Sequence, residues 1–227
     1  MLPSGYVGLA ICDVCDKGVG SALFMALYRS LIRIFSGHQA QLNRSLINPQ
    51  SQTVGGALDS ASIRKQNQVE AMRTVALANE YIAQGNEMCM FATLFFCVLD
   101  PENGKLIYIN GGHEPVFVID QDGIKERLLP TGPAVGLIPE AQFEYKEIFL
   151  NPGEILFAYT DGVIDARSPE EARFTRKHLI SLLSQPVATA LDLMQRIETH
   201  LFSHIGKAPQ EDDITMLTIQ RRNPEGS

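Results

Sequence analysis

Residues 91–110 read FATLFFCVLDPENGKLIYIN, two apolar runs of strand length separated by Asp100-Pro101-Glu102-Asn103-Gly104. Pro, Asn and Gly supply the backbone angles that a reversal needs, so this stretch predicts an antiparallel hairpin. The same grammar recurs further along. Val116–Asp120 and Ile124–Leu129 flank Asp122-Gly123, and Phe143–Leu150 and Glu154–Thr160 flank Asn151-Pro152-Gly153, which predicts a second and a third hairpin. Near the start Tyr6–Cys12 (YVGLAIC) is a near-continuous apolar run that reads as a buried strand, and Ile214–Gln220 reads as the last one.

Between the strands the apolar period lengthens to that of helices. After the turn at 16–20, Ser21 is expected to cap a helix of about four turns carrying Leu23, Ala26, Leu27, Leu31, Ile34 and Phe35. Residues 37–62 are polar and rich in Asn, Gln and Ser, and are expected to form a mobile surface insertion. A second helix, roughly 61–84, carries Val69, Met72, Ala76 and Ile82 on one side. Lys177–Leu183 and Ala188–Ile205 read as two more, the latter with Leu191, Met194, Ile197, Leu201 and Ile205 on one face. Antiparallel strands with helices in separate pairs indicate an α+β fold, two antiparallel β-sheets sandwiched between helix layers.

The 227 residues are 45% hydrophobic and 20% charged, enough to bury a core, and suit one domain over 1–222 followed by a polar tail at 223–227. A net charge of −7 argues against a nucleic-acid partner, which would need a basic face. The longest apolar stretch, Phe91–Leu99, falls far short of the ~20 residues a membrane span requires. Met1–Gly8 has neither a basic nor an apolar leader region, so a cytoplasmic location is expected. Cys12, Cys15, Cys89 and Cys97 are too few for a disulfide scaffold and read as thiols.

Phosphate-loop, nucleophile-elbow, zincin and dinucleotide-binding motifs are all absent. The positive signal is positional. Asp13 ends YVGLAIC, Asp161 ends ILFAYT, and Asp212 with Asp213 precedes ITMLTI. If the last strand runs antiparallel to the other two, these acids share one edge of the core. Carboxylates gathered together need cations, and hard oxygen donors favour Mg²⁺ or Mn²⁺. Each Asp taken alone also fits a turn or a helix cap. Cys12 and Cys15 have the spacing of a zinc or redox pair, but no second such pair exists and they straddle an Asp on a strand. The glycines of Lys17–Ser21 either offer a helix start to a phosphate or only permit the sharp turn after Asp13.

The stretches at 11–33 (ICDVCDKGVGSALFMALYRSLIR), 90–119, 130–139 (PTGPAVGLIP), 150–167 (LNPGEILFAYTDGVIDAR) and 211–221 (EDDITMLTIQR) resemble, in order, the SpoIIE/RsbU branch of the PPM metal-dependent protein phosphatases. That resemblance implies an α-β-β-α sandwich whose first strand is missing here. It also implies hydrolysis of phosphoserine or phosphothreonine in proteins with two Mn²⁺ or Mg²⁺ ions, which acidify a shared water. Asp13 then resembles the bridging ligand, with the Val14 carbonyl beside it. Asp161 and Asp212 resemble the remaining ligands, and Asp165 and Asp213 weaker ones. For Asp165 a solvated carboxylate near a turn is an equal reading. His113, in Asn110-Gly111-Gly112-His113, matches a motif position. It is either a general acid or, the favoured reading, an imidazole bonded to backbone beside a tight glycine turn.

Relatives carry a GGDFYD-like segment with a further metal aspartate before the strand that holds Asp13. Met1 starts just past that place, so the domain is expected to be incomplete at its N-terminus. The rival reading is a degenerate module that binds a phosphoprotein without turnover. The resemblance also implies a phosphorylated STAS-domain protein as substrate and an upstream sensor or receiver domain. An unpaired sheet edge would favour a homodimer.

Overall fold

The structure, a computed structural model, describes residues 5–16, 18–46, 60–84, 86 and 89–222. The chain divides into two compact units, one of residues 1–112 and 131–148, the other of 113–130 and 149–227. Each has a four-stranded antiparallel sheet and its own helices.

In the first unit the sheet order is β1-β2-β3-β6, with β1 Val7–Val14, β2 Ala92–Leu99, β3 Lys105–Gly111 and β6 Lys146–Phe149. The hairpin read at 91–110 is β2–β3, with Leu99 opposite Leu106. Its turn is closed by Asp100, whose N–H donates to Lys105 O (2.8 Å) and whose carboxylate accepts from Glu102 N–H (3.0 Å). Helices α1 (Val19–Leu46) and α2 (Ser60–Ala83) cover one face, where Tyr28, Leu31, Met72, Val75 and Ile82 meet Leu94, Phe96, Ile107 and Ile109.

The second unit has order β5-β4-β7-β8: β4 Val116–Asp120, β5 Gly123–Leu128, β7 Ile155–Tyr159 and β8 Met216–Gln220. Its helices are α3 (Gly162–Asp165), α4 (Arg176–Leu183) and α5 (Ala190–Ile205). Leu179, Leu182 and Leu183 of α4 and Leu193, Ile197 and Leu201 of α5 pack on Phe117, Ile119, Ile155 and Phe157. The α5 start is fixed by Thr189, which accepts from Asp192 N–H (3.1 Å).

Several expectations need correction. The third hairpin does not form. Asn151 and Glu154 do close a turn (3.0 Å), but β6 pairs with β3 in one sheet while β7 pairs with β4 and β8 in the other. The turn reverses the chain locally, and the wholly buried ILFAY is drawn to the centre of its own sheet while the largely exposed KEIF takes an edge. Helix α1 has 28 residues, about twice the expected length, and takes up residues 37–46 of the supposed insertion. Of the rest of that insertion, 60–62 open α2, and 47–59 lie outside the described residues. Ser21 sits inside the first turn of α1, where its hydroxyl donates to Cys15 O (3.1 Å) instead of capping the helix. Ala76 of α2 and Leu191 of α5 are exposed, and Val75 and Leu193 take the buried positions. Asp13 lies within β1, opposite Thr93 and in the first unit's sheet, whereas Asp161 and Asp212 flank strands of the second.

Candidate metal centre

Strands β7 and β8 run antiparallel with Tyr159 opposite Met216, so the chain leaving β7 and the chain entering β8 emerge at the same end. That places Asp161 and Asp212 together, as their strand-end positions predict. Thr160, 2% exposed, clasps the two segments. Its N–H donates to Thr215 O (3.0 Å), its hydroxyl donates to Asp213 O (3.0 Å), and it accepts from Thr215 N–H (3.0 Å).

Gly162 makes that approach sterically feasible. A Cβ built there would stand 2.3 Å from Asp213 O and 3.5 Å from Asp212 Cβ, so only hydrogen fits. Asp161 occupies the N-cap position of α3 with αR backbone (φ −60, ψ −24), and its carboxylate makes no cap bond to that helix. Asp212 is shaped by two contacts: its Oδ1 accepts from Asp213 N–H (3.0 Å), and its carbonyl accepts from Gln210 Nε2 (2.8 Å). Asp161, Asp212 and Asp213 are all exposed.

A pair of carboxylates at a solvent-facing strand end fits Mg²⁺ or Mn²⁺, ions that keep several waters and are held by few protein oxygens. Among the described residues no group of three or more His, Cys, Asp or Glu side chains is gathered closely enough to hold an ion. Asp161 and Asp212 form a pair at this strand end, not a closed set of ligands. Asp165, expected as a weaker ligand, accepts from Arg173 Nη1 (2.9 Å) in a half-exposed ion pair.

In the first unit Asp13 and Val14 end β1 opposite Thr93 and Ala92. Pairing continues one residue further, as Cys15 N–H donates to Phe91 O (2.9 Å) and Phe91 N–H donates to Cys15 Sγ (3.1 Å). The chain then turns through Asp16 (φ 62) and Gly18 (φ 99) into α1. Burial, and then the neighbouring Asp13 carboxylate, push the Cys12 thiol up to about 12, so it stays protonated at neutral pH. A protonated Cys12 thiol disfavours a redox reading of that residue. Lys17 lies outside the described residues.

The glycines before His113 form the expected tight turn: Gly112 has φ +66, and a Cβ there would stand 2.9 Å from Ala134 N. The His113 imidazole is 2% exposed and is hydrogen-bonded to the Tyr159 main chain. Burial holds its pKa down to about 4 from an ordinary 6.5. At neutral pH the ring is uncharged, and its bond to the Tyr159 main chain is the contact that the backbone-bonded reading expects. The neutral form is the one the fold accommodates, so stability is complete above pH 6.5 and falls as pH drops toward 4. The predicted loss is on the order of 3 kcal/mol. Urea midpoints measured across that window should fall for the parent and stay flatter for His113→Gln.

The sequence reading missed Thr160, Gly162 and a hydrogen-bonded group of Tyr159, Glu114 and Arg176. The first two flank Asp161 in YTDGV, where a small donor and a glycine beside an acid were the available signal. Glu114 and Arg176 are 62 residues apart and had none.

Comparison with known proteins bears on this geometry. Protein IcfG of Synechocystis sp. is 42% identical over 222 residues, 97% of this chain and 34% of that protein. Phosphoserine phosphatase RsbU of Bacillus subtilis is 20% identical over 95% of this chain and 56% of its own length. The chain thus spans about a third of one and just over half of the other. Among solved structures, the SiaA-PP2C domain of Pseudomonas aeruginosa superposes with a TM-score of 0.63 at 18% identity, covering 95% of this chain and 79% of that one. The catalytic domain of the serine/threonine protein phosphatase PstP, solved with 2 manganese ions, gives 0.55 at 15% identity over 93% and 86%. These likenesses give the fold, the two-sheet α+β fold of PP2C phosphatases. The family model of stage II sporulation protein E matches residues 3–222, so the chain belongs to the SpoIIE family.

Proposed function

We propose that the chain is the catalytic domain of a Mn²⁺- or Mg²⁺-dependent protein phosphatase that removes phosphate from phosphoserine or phosphothreonine. The observation that carries this reading is the pairing of Asp161 with Asp212 at one end of β7–β8, held by Thr160 and cradled at Gly162. Membership of the SpoIIE family supports it, as do the likeness to RsbU, a phosphoserine phosphatase, and the manganese ions of PstP.

Asp13, Asp161 and Asp212 are the proposed ligands, with the Val14 carbonyl beside Asp13, and Asp213 and Asp165 in weaker roles. Two divalent ions, when bound, supply an acidified water and neutralise charge on the phosphoryl group. The protein's part is to hold carboxylate oxygens at fixed strand ends, so that little reorganisation accompanies reaction. His113, neutral and buried, contributes by holding the Tyr159 main chain. No side chain is required as a nucleophile.

The proposed substrate is a phosphorylated STAS-type regulatory protein in the cytoplasm, and the proposed control element is a sensor or receiver segment outside this domain. Among the described residues no helix is long and apolar enough to cross a membrane. β1 stands at an edge of its sheet, which suits pairing with a second copy. The test is phosphate release from a phosphoserine protein with and without Mn²⁺. Release that requires Mn²⁺ is expected, and stable binding without release would favour the non-catalytic module.

A further inference from the structure

Asp161 is the only proposed ligand in the second unit that opens a helix, and both of its flanks lead to one ion pair. Before it, the Tyr159 hydroxyl donates to Glu114 Oε2 (3.1 Å). The Tyr159 ring is fully buried and stacks on Phe117 (6.3 Å) and Phe157 (5.8 Å), so this hydroxyl has little freedom. After it, α3 is tied down by Thr175, whose N–H donates to Ile164 O (2.9 Å), and by Phe174, whose N–H donates to Ala166 O (2.8 Å).

Thr175 is held at φ 68, ψ 145, a conformation rare for a β-branched residue that persists only where its surroundings impose it. It accepts from His178 N–H (3.3 Å), and the next residue, Arg176, donates through Nη2 to both oxygens of Glu114 (2.8 and 2.7 Å). Glu114 therefore grips the segment before Asp161 through Tyr159 and the segment after α3 through Arg176. Arg176 is half exposed, and an ion pair so placed adds little to stability. What a charge-assisted, two-oxygen contact does supply is direction.

We propose that the Glu114–Arg176 ion pair, with the Tyr159 hydroxyl, is a positioning device that sets the Asp161 carboxylate for its divalent ion. This rests on the reading of Asp161 as a metal ligand. In this role the three residues act through the backbone on either side of Asp161, without contact to substrate or ion.

The test is a titration of the protein with Mn²⁺ alone, reading free Mn²⁺ by its paramagnetic resonance signal, with thermal midpoints measured in parallel. Tyr159→Phe, Glu114→Gln and Arg176→Met should each weaken Mn²⁺ binding by about tenfold, the scale of losing a group that orients a ligand. Arg176→Lys should recover part of the loss. The Glu114→Gln/Arg176→Met double variant should bind no more weakly than the worse single one, because the pair acts as a unit. Tyr159→Phe keeps the ring in its stack, so it decides the matter even where the charge variants fold poorly. A purely structural role would lower thermal midpoints and leave Mn²⁺ affinity unchanged, which overturns the proposal. Asp161→Asn separates the two levels. If it binds Mn²⁺ as the parent does, the metal reading falls and takes this inference with it. If it loses Mn²⁺ while the other three variants keep the parent's affinity, the positioning role alone falls.

Discussion

Asp161→Ala is expected to lower Mn²⁺-dependent phosphate release by at least about 100-fold, because a lost metal ligand removes several kcal/mol of charge stabilisation at the reacting phosphoryl group. Asp212→Ala should do the same. Both side chains are exposed, and that of Asp161 does not cap α3, so neither truncation opens a cavity or strips a helix of its cap. Thermal midpoints should stay near the parent's while activity collapses. Raising Mn²⁺ should restore part of the activity if the remaining oxygens still hold an ion. An Asp161→Ala protein that releases phosphate at the parent rate would show that this strand end has no part in the chemistry.

Gly162→Ala is the second large effect, and its cause is steric. The added methyl meets Asp213 O at 2.3 Å, a backbone atom with no free end to swing away. Either the Asp161 segment or the Asp212–Asp213 segment has to move, and Thr160, which bonds to both Asp213 and Thr215, loses part of its clasp. A destabilisation of about 1–3 kcal/mol follows from such overpacking. The displacement of the two acids adds a loss of activity approaching 100-fold for a shift of about 1 Å. Gly20→Ala is the control. Gly20 lies at the start of α1 with nothing within 4 Å of the added carbon, so the change should be neutral or stabilising by about 0.4–1 kcal/mol. Equal thermal midpoints and equal activities for the two variants would contradict the cradle.

The parts of the fold legible in the sequence were those whose cause is local. Asp100–Gly104 and Asp122-Gly123 specify turns by themselves, and the hairpins they close are present. Asn151–Gly153 also makes its turn, but what its flanking strands pair with is decided by distant partners, β3 on one side and β4 and β8 on the other. Local grammar cannot report that. Helix faces were read out of phase, by one residue at Ala76 and by two at Leu191, since neighbouring apolar positions satisfy the same period almost as well. In both cases the packing in the fold selects the neighbour, Val75 or Leu193.

For the site, Asp161 and Asp212 were legible because an antiparallel pair must bring the exit of one strand to the entrance of the next. Asp13 carried the same signal at the end of YVGLAIC, yet belongs to a different sheet, so its placement in one ligand set rests on the family resemblance. Thr160 and Gly162 act through contacts with residues some 50 positions away, as in the Thr160–Asp213 bond (|i−j| 53). The role of Glu114 depends on Arg176, 62 residues on, and that contact exists only in the folded chain.

What we propose at the centre of the function is that carboxylates from Asp13, Asp161 and Asp212 bind divalent ions together. Diffraction from crystals grown with Mn²⁺, recorded at the manganese absorption edge, tests it directly. Two anomalous peaks, each with ligands from among those three side chains, are expected. Asp13 remote from Asp161 and Asp212, or manganese bound away from all three, would contradict it.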